Sequence, residues 1–141
     1  MPLEADGDLR MLLEETKTIA LVGASANPAR DSHDVMAFLQ RQGYRVIPVN
    51  PGLAGQKLLG ETVIGSIADI GDPIDLVDIF RNSEAAGPVV DDAIAAGARA
   101  VWMQLGVINP EAAARAEAAG LKVVMNHCPK IEIPRLGLLR R

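Results

Sequence analysis

Apolar residues recur along the chain in two alternating patterns. Short runs rich in Val, Ile and Leu occupy Lys17–Val22 (KTIALV), Arg45–Val49 (RVIPV), Asp75–Phe80 (DLVDIF), Ala100–Met103 (AVWM) and Leu121–Met125 (LKVVM), with starts 21 to 30 residues apart. Segments of helical periodicity lie between them at Asp34–Arg41, Ser83–Ala96 and Pro110–Ala119. Leu9–Thr16 predicts a further short helix before the first strand. Near-continuous apolar strands alternating with amphipathic helices indicate a parallel sheet covered on both faces. Right-handed crossovers make such a chain doubly wound, a single α/β domain of three α/β/α layers.

The punctuation agrees. Gly43, Gly97 and Gly120 each close a helical stretch just before the next strand, and Asn109-Pro110 opens a helix with a capping amide and a proline at the first helical position. Pro88 falls early in the helix that begins near Ser83. Gln56–Ile64 reads as a short edge strand or a loop. The tail from Asn126 to Arg141 is interrupted by prolines and is expected to pack across the sheet or fray.

Composition narrows the function. The 141 residues are 49% hydrophobic and 23% charged, the balance of one soluble globule, with residues 1–141 forming a single domain. A net charge of −4 argues against nucleic acid or an anionic membrane as the partner. One cysteine, Cys128, excludes a disulfide framework. No apolar run approaches the roughly 20 residues of a membrane span, and the acidic N-terminus does not resemble a signal peptide, so a cytoplasmic location is expected.

In an open parallel sheet, ligands bind beyond the carboxyl ends of the strands. The most informative exit is the first, Gly23-Ala24-Ser25-Ala26-Asn27-Pro28-Ala29-Arg30-Asp31-Ser32. A glycine turn, small residues and a following helix N-terminus suit a phosphate or diphosphate, and Arg30 adds a charge-assisted contact. The other exits are Asn50-Pro51-Gly52, Arg81-Asn82-Ser83, Gln104-Leu105-Gly106 and Asn126-His127-Cys128, rich in amide and hydroxyl groups able to hydrogen-bond a ligand. The G-x-G-x-x-G pattern is missing, the second strand ends without an acid to hold a ribose diol, and no P-loop occurs. A nucleotide with a differently substituted ribose is favoured over NAD or ATP.

VGASANPARDS, GYRVIPVNP, DIFRNSE, VWMQLGV and NHCPKIEIPRL, in this order at successive strand exits, resemble the small CoA-binding protein family, stand-alone relatives of the N-terminal domain of the succinyl-CoA synthetase α subunit. The match runs from about Thr16 to Leu136. The resemblance implies a Rossmann-like fold that takes coenzyme A or an acyl-CoA. Carried over by position, Gly23, Ala24, Ser25, Asn27 and Pro28 form the loop around the diphosphate, with Arg30 and Ser32 as side-chain contacts. Asn50 and Pro51 border the adenosine end, Phe80 and Arg81 the next wall, and Gln104, Leu105 and Gly106 the last. The 3′-phosphate of CoA explains the missing acid on the second strand, which would repel it. Relatives often place a lysine shortly after that strand; here Gly52-Leu53 stand there, leaving Lys57 or Arg30 to substitute. The synthetase's phosphorylated histidine belongs to a second domain, so ligase activity does not carry over.

The remaining residues offer little catalysis. Cys128, near where a pantetheine arm would end, invites a mixed disulfide with the CoA thiol, against the plainer reading of a small buried hydrophobe. His33 reads as a solvated helix-start residue and Trp102 as core. Asp75 and Asp78, three apart on a strand, face opposite sides and form no acid–base pair. Three readings follow: a non-catalytic CoA carrier, sensor or accessory protein; an NAD(P)- or CoA-dependent enzyme using the same crevice; and a regulatory module that docks a protein partner or a second copy through its basic, leucine-bearing end, Gly137–Arg141.

Overall fold

Five parallel strands occupy the positions that the apolar runs predict, each within one residue at either end: β1 (Thr18–Val22), β2 (Arg45–Val49), β5 (Leu76–Ile79), β6 (Ala100–Met103) and β7 (Lys122–Met125). The computed structural model describes residues 1–140, and Arg141, the last residue of the expected docking segment, lies outside the described residues. The strand order is β2-β1-β5-β6-β7. Helices α1 (Asp6–Glu15), α2 (Asp31–Arg41), α3 (Ser83–Ala95), α4 (Pro110–Ala118) and α5 (Pro129–Arg135) cover both faces. This is the doubly wound, Rossmann-like α/β architecture, in the variant where one crossover reverses between β1 and β5.

Each face of the sheet has its own core. On one, Leu9 and Leu13 of α1, Met36 and Leu39 of α2 and Ile133 of α5 pack on Ile19, Leu21, Leu76, Trp102 and Val124. On the other, Val90 and Ala93 of α3 with Ala112 and Ala116 of α4 cover Ala20, Val77, Val101 and Val123. The alanines let α3 and α4 approach the sheet closely, which is how a chain with few aromatic residues fills its core. Trp102 is fully buried, as expected, and its Nε1 donates to the His127 carbonyl at 2.8 Å.

Three segments differ from the expectation. Helix α2 starts three residues before Asp34, because Asp31-Ser32-His33 supply a polar first turn that apolar periodicity does not mark. Gln56–Ile64 holds a miniature hairpin, β3 (Lys57–Leu58) with β4 (Glu61–Thr62). Its turn places Leu59 at φ 48 and Gly60 at φ 84, the positive pair of a type I′ turn. The proline-interrupted tail contains α5: Pro129 sits at its first position, where a missing N–H costs nothing. Arg135 of α5 reaches Asp6 of α1 at 2.9 Å and Glu132 at 2.7 Å. Beyond α5, Leu138 packs against the core and the Arg140 N–H donates to Gln42 at 2.6 Å, so much of the leucine-bearing end is part of the fold.

Candidate functional site

The order reversal between β1 and β5 opens a crevice of about 950 Å³ at the carboxyl edge of the sheet. Of the residues singled out from sequence, Gly23, Ala24, Ser25, Asn27, Arg30, Ser32, Asn50, Pro51, Phe80, Arg81, Gln104 and Leu105 line it. Pro28 and Gly106 stand outside the lining, both exposed on their loops. Ala26, Ala29, Asp31 and Gly52 also line it, within the exits singled out from sequence but with no contact assigned to them, and Val22, Val49, Leu53 and Val107 line it without having been singled out as site residues. Asp31 is the consequential one: as the first residue of α2 it complements the helix dipole, so its sequence signal was that of a helix start.

Gly23 is fixed by two constraints at once. Its φ is +92, and a Cβ there would press into the carbonyl oxygen of Phe80. The exits of β1 and β5 therefore cross at backbone contact, and that contact forms the crevice floor. Next, the loop folds on its own side chains. Ser25 Oγ accepts from the Asn27 N–H at 3.0 Å, and Asn27 Oδ1 accepts from the Ala29 N–H at 3.0 Å. The amides of Gly23, Ala24, Asn27, Ala29 and Arg30 are committed, while those of Ser25 and Ala26, and of Asp31 and Ser32 at the α2 start, make no hydrogen bond among the described residues. These four N–H groups, with the guanidinium groups of Arg30 and Arg81, are donors that line the crevice without a partner among the described residues.

The amides and hydroxyls at the strand tips mostly tie loops together instead of facing a ligand. Asn50 Nδ2 donates to the Ala24 carbonyl at 2.8 Å, and its Oδ1 accepts from the Gly52 N–H at 2.8 Å, joining the β1 and β2 exits. Asn82 caps α3 through the Ala85 N–H, Ser83 Oγ accepts from the Ile108 N–H, and Asn126 accepts from the Gly106 N–H. Gln104 is the exception. It is 7% exposed, lines the crevice, and its Oε1 is buried with no partner among the described residues. Of the two cations considered for a 3′-phosphate, Arg30 lines the crevice, whereas Lys57 lies on β3 and donates to Thr62 Oγ1 at 2.9 Å.

The other candidates sit elsewhere. Cys128 is buried at the start of α5, packed in the first core and outside the crevice lining, the position of a small hydrophobe. His127 lies 3.1 Å from Glu4, and His33 is half-buried on α2. Asp75 precedes β5 and accepts from the Lys17 and Thr18 N–H groups. Asp78, by contrast, lies within β5, fully buried with both carboxyl oxygens unpartnered, and burial pushes its carboxyl well above the usual carboxylate range. Among the described residues there is no His, Cys, Asp and Glu cluster fit for a metal, and no helix is long and apolar enough to cross a membrane.

A parallel sheet with a crevice of this size at its reversal point, floored by a glycine turn and a helix start, is the doubly wound α/β class, whose ligands bind at that point. The chain belongs to the CoA binding domain family, whose model matches residues 17–134. It is 36% identical over 124 residues to the Bacillus subtilis (strain 168) protein YneT, covering 88% of this chain and 90% of that one. Among solved structures it is similar to Prb, the PH1109 protein redesigned for binding, at 41% identity and a TM-score of 0.93 over 99% of this chain and 97% of that chain. It is also similar to part of the dinucleotide-forming acetyl-coenzyme A synthetase 1 of Ca. Korarchaeum cryptofilum, at 25% identity and a TM-score of 0.66, covering 76% of this chain and 25% of that one.

Proposed function

We propose that this protein binds coenzyme A or an acyl-CoA in the crevice at the carboxyl edge of its sheet, as a non-catalytic carrier, sensor or accessory protein. The observation that carries the reading is the junction of the β1 and β5 exits. Gly23 brings the two strands to backbone contact, and the loop after it leaves four N–H groups and Arg30 at the crevice, donors of the kind that bind a diphosphate. Membership of the CoA binding domain family supports coenzyme A as the nucleotide. So does the exit of β2, where Asn50 is committed to the loop and no acid stands to repel a ribose 3′-phosphate. Arg30 is the cation for that phosphate or for the diphosphate. Among the described residues no hydrogen bond joins the lining hydroxyls of Ser25 and Ser32 to Asp31, the acid that lines the crevice with them, so neither serine is paired with a base.

Thermal melts with CoA, dephospho-CoA, NAD and ATP at equal concentration test this. A ligand at about 100 times its Kd adds roughly 2.7 kcal/mol, enough to raise the midpoint of a domain this size by several degrees. CoA is expected to give the largest rise and dephospho-CoA a smaller one. A response to NAD alone transfers the crevice to a dehydrogenase-type ligand, and equal melts with all four remove the nucleotide reading.

A further inference from the structure

Three buried side-chain oxygens lack a partner among the described residues: both of Asp78 and Oε1 of Gln104. They lie on one face of the sheet. Asp78 pairs with Trp102 across the β5–β6 ladder, and Gln104 follows Trp102 by two residues, so strand alternation turns all three side chains the same way. That face is the one covered by Leu39, Met36 and Ile133, and among the described residues neither a hydrogen bond nor an ion pair reaches the Asp78 carboxyl. Asp78 and Gln104 are diagonal neighbours, separated by about 4.8 Å across the strands and about 6.6 Å along them, within reach of two extended side chains. A carboxylate sealed in such a place without a cation is strongly disfavoured against the neutral acid, so the group is held as the acid and has one proton to donate. Gln104 Oε1 is an acceptor needing one donor.

On the CoA reading above, we infer that Asp78 is a positioning residue for the crevice: its O–H is donated to Gln104 Oε1, which locks the Gln104 amide with its NH₂ toward the ligand. The wall at Gln104 is then a hydrogen-bond donor. It selects a carbonyl acceptor, an amide or thioester oxygen of the arm that runs from the diphosphate to the thiol. Were Asp78 ionised, it would accept from the Gln104 NH₂ instead, and the wall would present an acceptor.

Binding of CoA and of adenosine 3′,5′-bisphosphate, which keeps the nucleotide end and lacks the arm, is compared in the parent, Asp78→Asn, Asp78→Leu and Gln104→Leu. Asn keeps a donor for Oε1, so Asp78→Asn should bind CoA within about twofold of the parent. Asp78→Leu and Gln104→Leu should each lose about three- to tenfold for CoA, the worth of one neutral hydrogen bond, and nothing for the bisphosphate. Equal CoA affinity in Asp78→Leu, or equal losses for both ligands, overturns the inference while leaving the CoA reading intact. Infrared spectroscopy of the ligand-free protein at neutral pH decides the pair separately, whether or not CoA binds and whether or not Asp78→Leu folds. A protonated carboxylic acid band should be present in the parent, absent from Asp78→Asn and shifted in Gln104→Leu. A parent without that band, or a band unmoved by Gln104→Leu, overturns the pairing.

Discussion

At the amino edge of the sheet, Asp75 accepts from the N–H groups of Lys17 at 2.9 Å and Thr18 at 3.0 Å, and Arg99 stands 3.9 Å from it. Lys122 pairs with Glu15 at 3.7 Å beside the same groove, which holds about 500 Å³. The carboxyl edge holds about 950 Å³ and leaves Arg30 and Arg81 without an ion pair among the described residues. Both edges are concave and both carry charge. What separates them is whether donors and cations already have partners, so the volume of a cavity says less about ligands than its unsatisfied groups do.

The largest effect should come from breaking the floor of one edge and not the other. Gly23→Ala combines a positive φ with a Cβ driven against the Phe80 backbone, and should destabilise by about 3 kcal/mol or more. That lowers the melting midpoint by roughly 10 °C and abolishes CoA binding. Gly97→Ala, at the amino edge, has φ +73 and open space around its Cβ, so only backbone strain remains, about 1 kcal/mol, and CoA binding should survive. Circular dichroism melts of the two variants check the ranking; equal losses would mean that the β1–β5 contact is not the constraint.

Cations give the next contrast. Arg30→Ala should leave the melt of the free protein unchanged and weaken CoA by about 1–3 kcal/mol, roughly five- to hundredfold, for a lost charge-assisted contact. Ser25→Asp should weaken it further by setting a negative charge against the diphosphate, while Lys122→Ala at the other edge should not alter CoA affinity. Calorimetric titration reads all three, and a parent-like Arg30→Ala would move the phosphate away from the first loop.

How far such contrasts were legible in the sequence depends on the kind of residue. The strands were readable because unbroken Val, Ile and Leu runs have few alternatives to a doubly covered parallel sheet. Gly23 was readable because a sharp turn after an apolar run demands a glycine. Helix α5 was not, since Pro129 and Pro134 break its periodicity although the first sits where proline is tolerated. The strand-tip amides were ambiguous for a different reason. Asn50 and Asn126 can serve a ligand or a neighbouring loop with the same atoms, and only the fold shows that the loops claim them. Asp78 was weighed only as half of an acid pair with Asp75; a sheet covered on both faces already implied that it meets core, but not which groups face it there.

A smaller effect tests the amino edge as a purely structural device. Asp75→Ala removes the acceptor shared by two backbone N–H groups at the start of β1 and should cost about 1–2 kcal/mol of stability. Asp75→Asn, which keeps one acceptor oxygen, should cost less. Neither should change the affinity for CoA, because the crevice lies at the opposite end of the strands. A loss of CoA binding at unchanged stability in Asp75→Ala would erase the division between the two edges.

The finest contrast is between two aspartates of opposite pH sign. The hydrogen bond and charge of Lys130 hold the Asp34 carboxyl below its usual range, whereas burial holds Asp78 well above it. A lowered folded value means that the unfolded chain binds the proton more readily. The Asp34 contribution is therefore present above the ordinary carboxylate range and lost as the pH falls through and below it. A raised folded value reverses this: the Asp78 contribution is full below the ordinary range and is lost as the pH rises toward the folded value. Melts between pH 7 and pH 3 should show Asp34→Asn losing less stability than the parent below about pH 4. Asp78→Asn should lack the gain that the parent makes on acidification from neutral pH. Parallel curves for Asp78→Asn and the parent would mean that the buried acid titrates as an ordinary carboxylate, and that the core around Trp102 admits water to it.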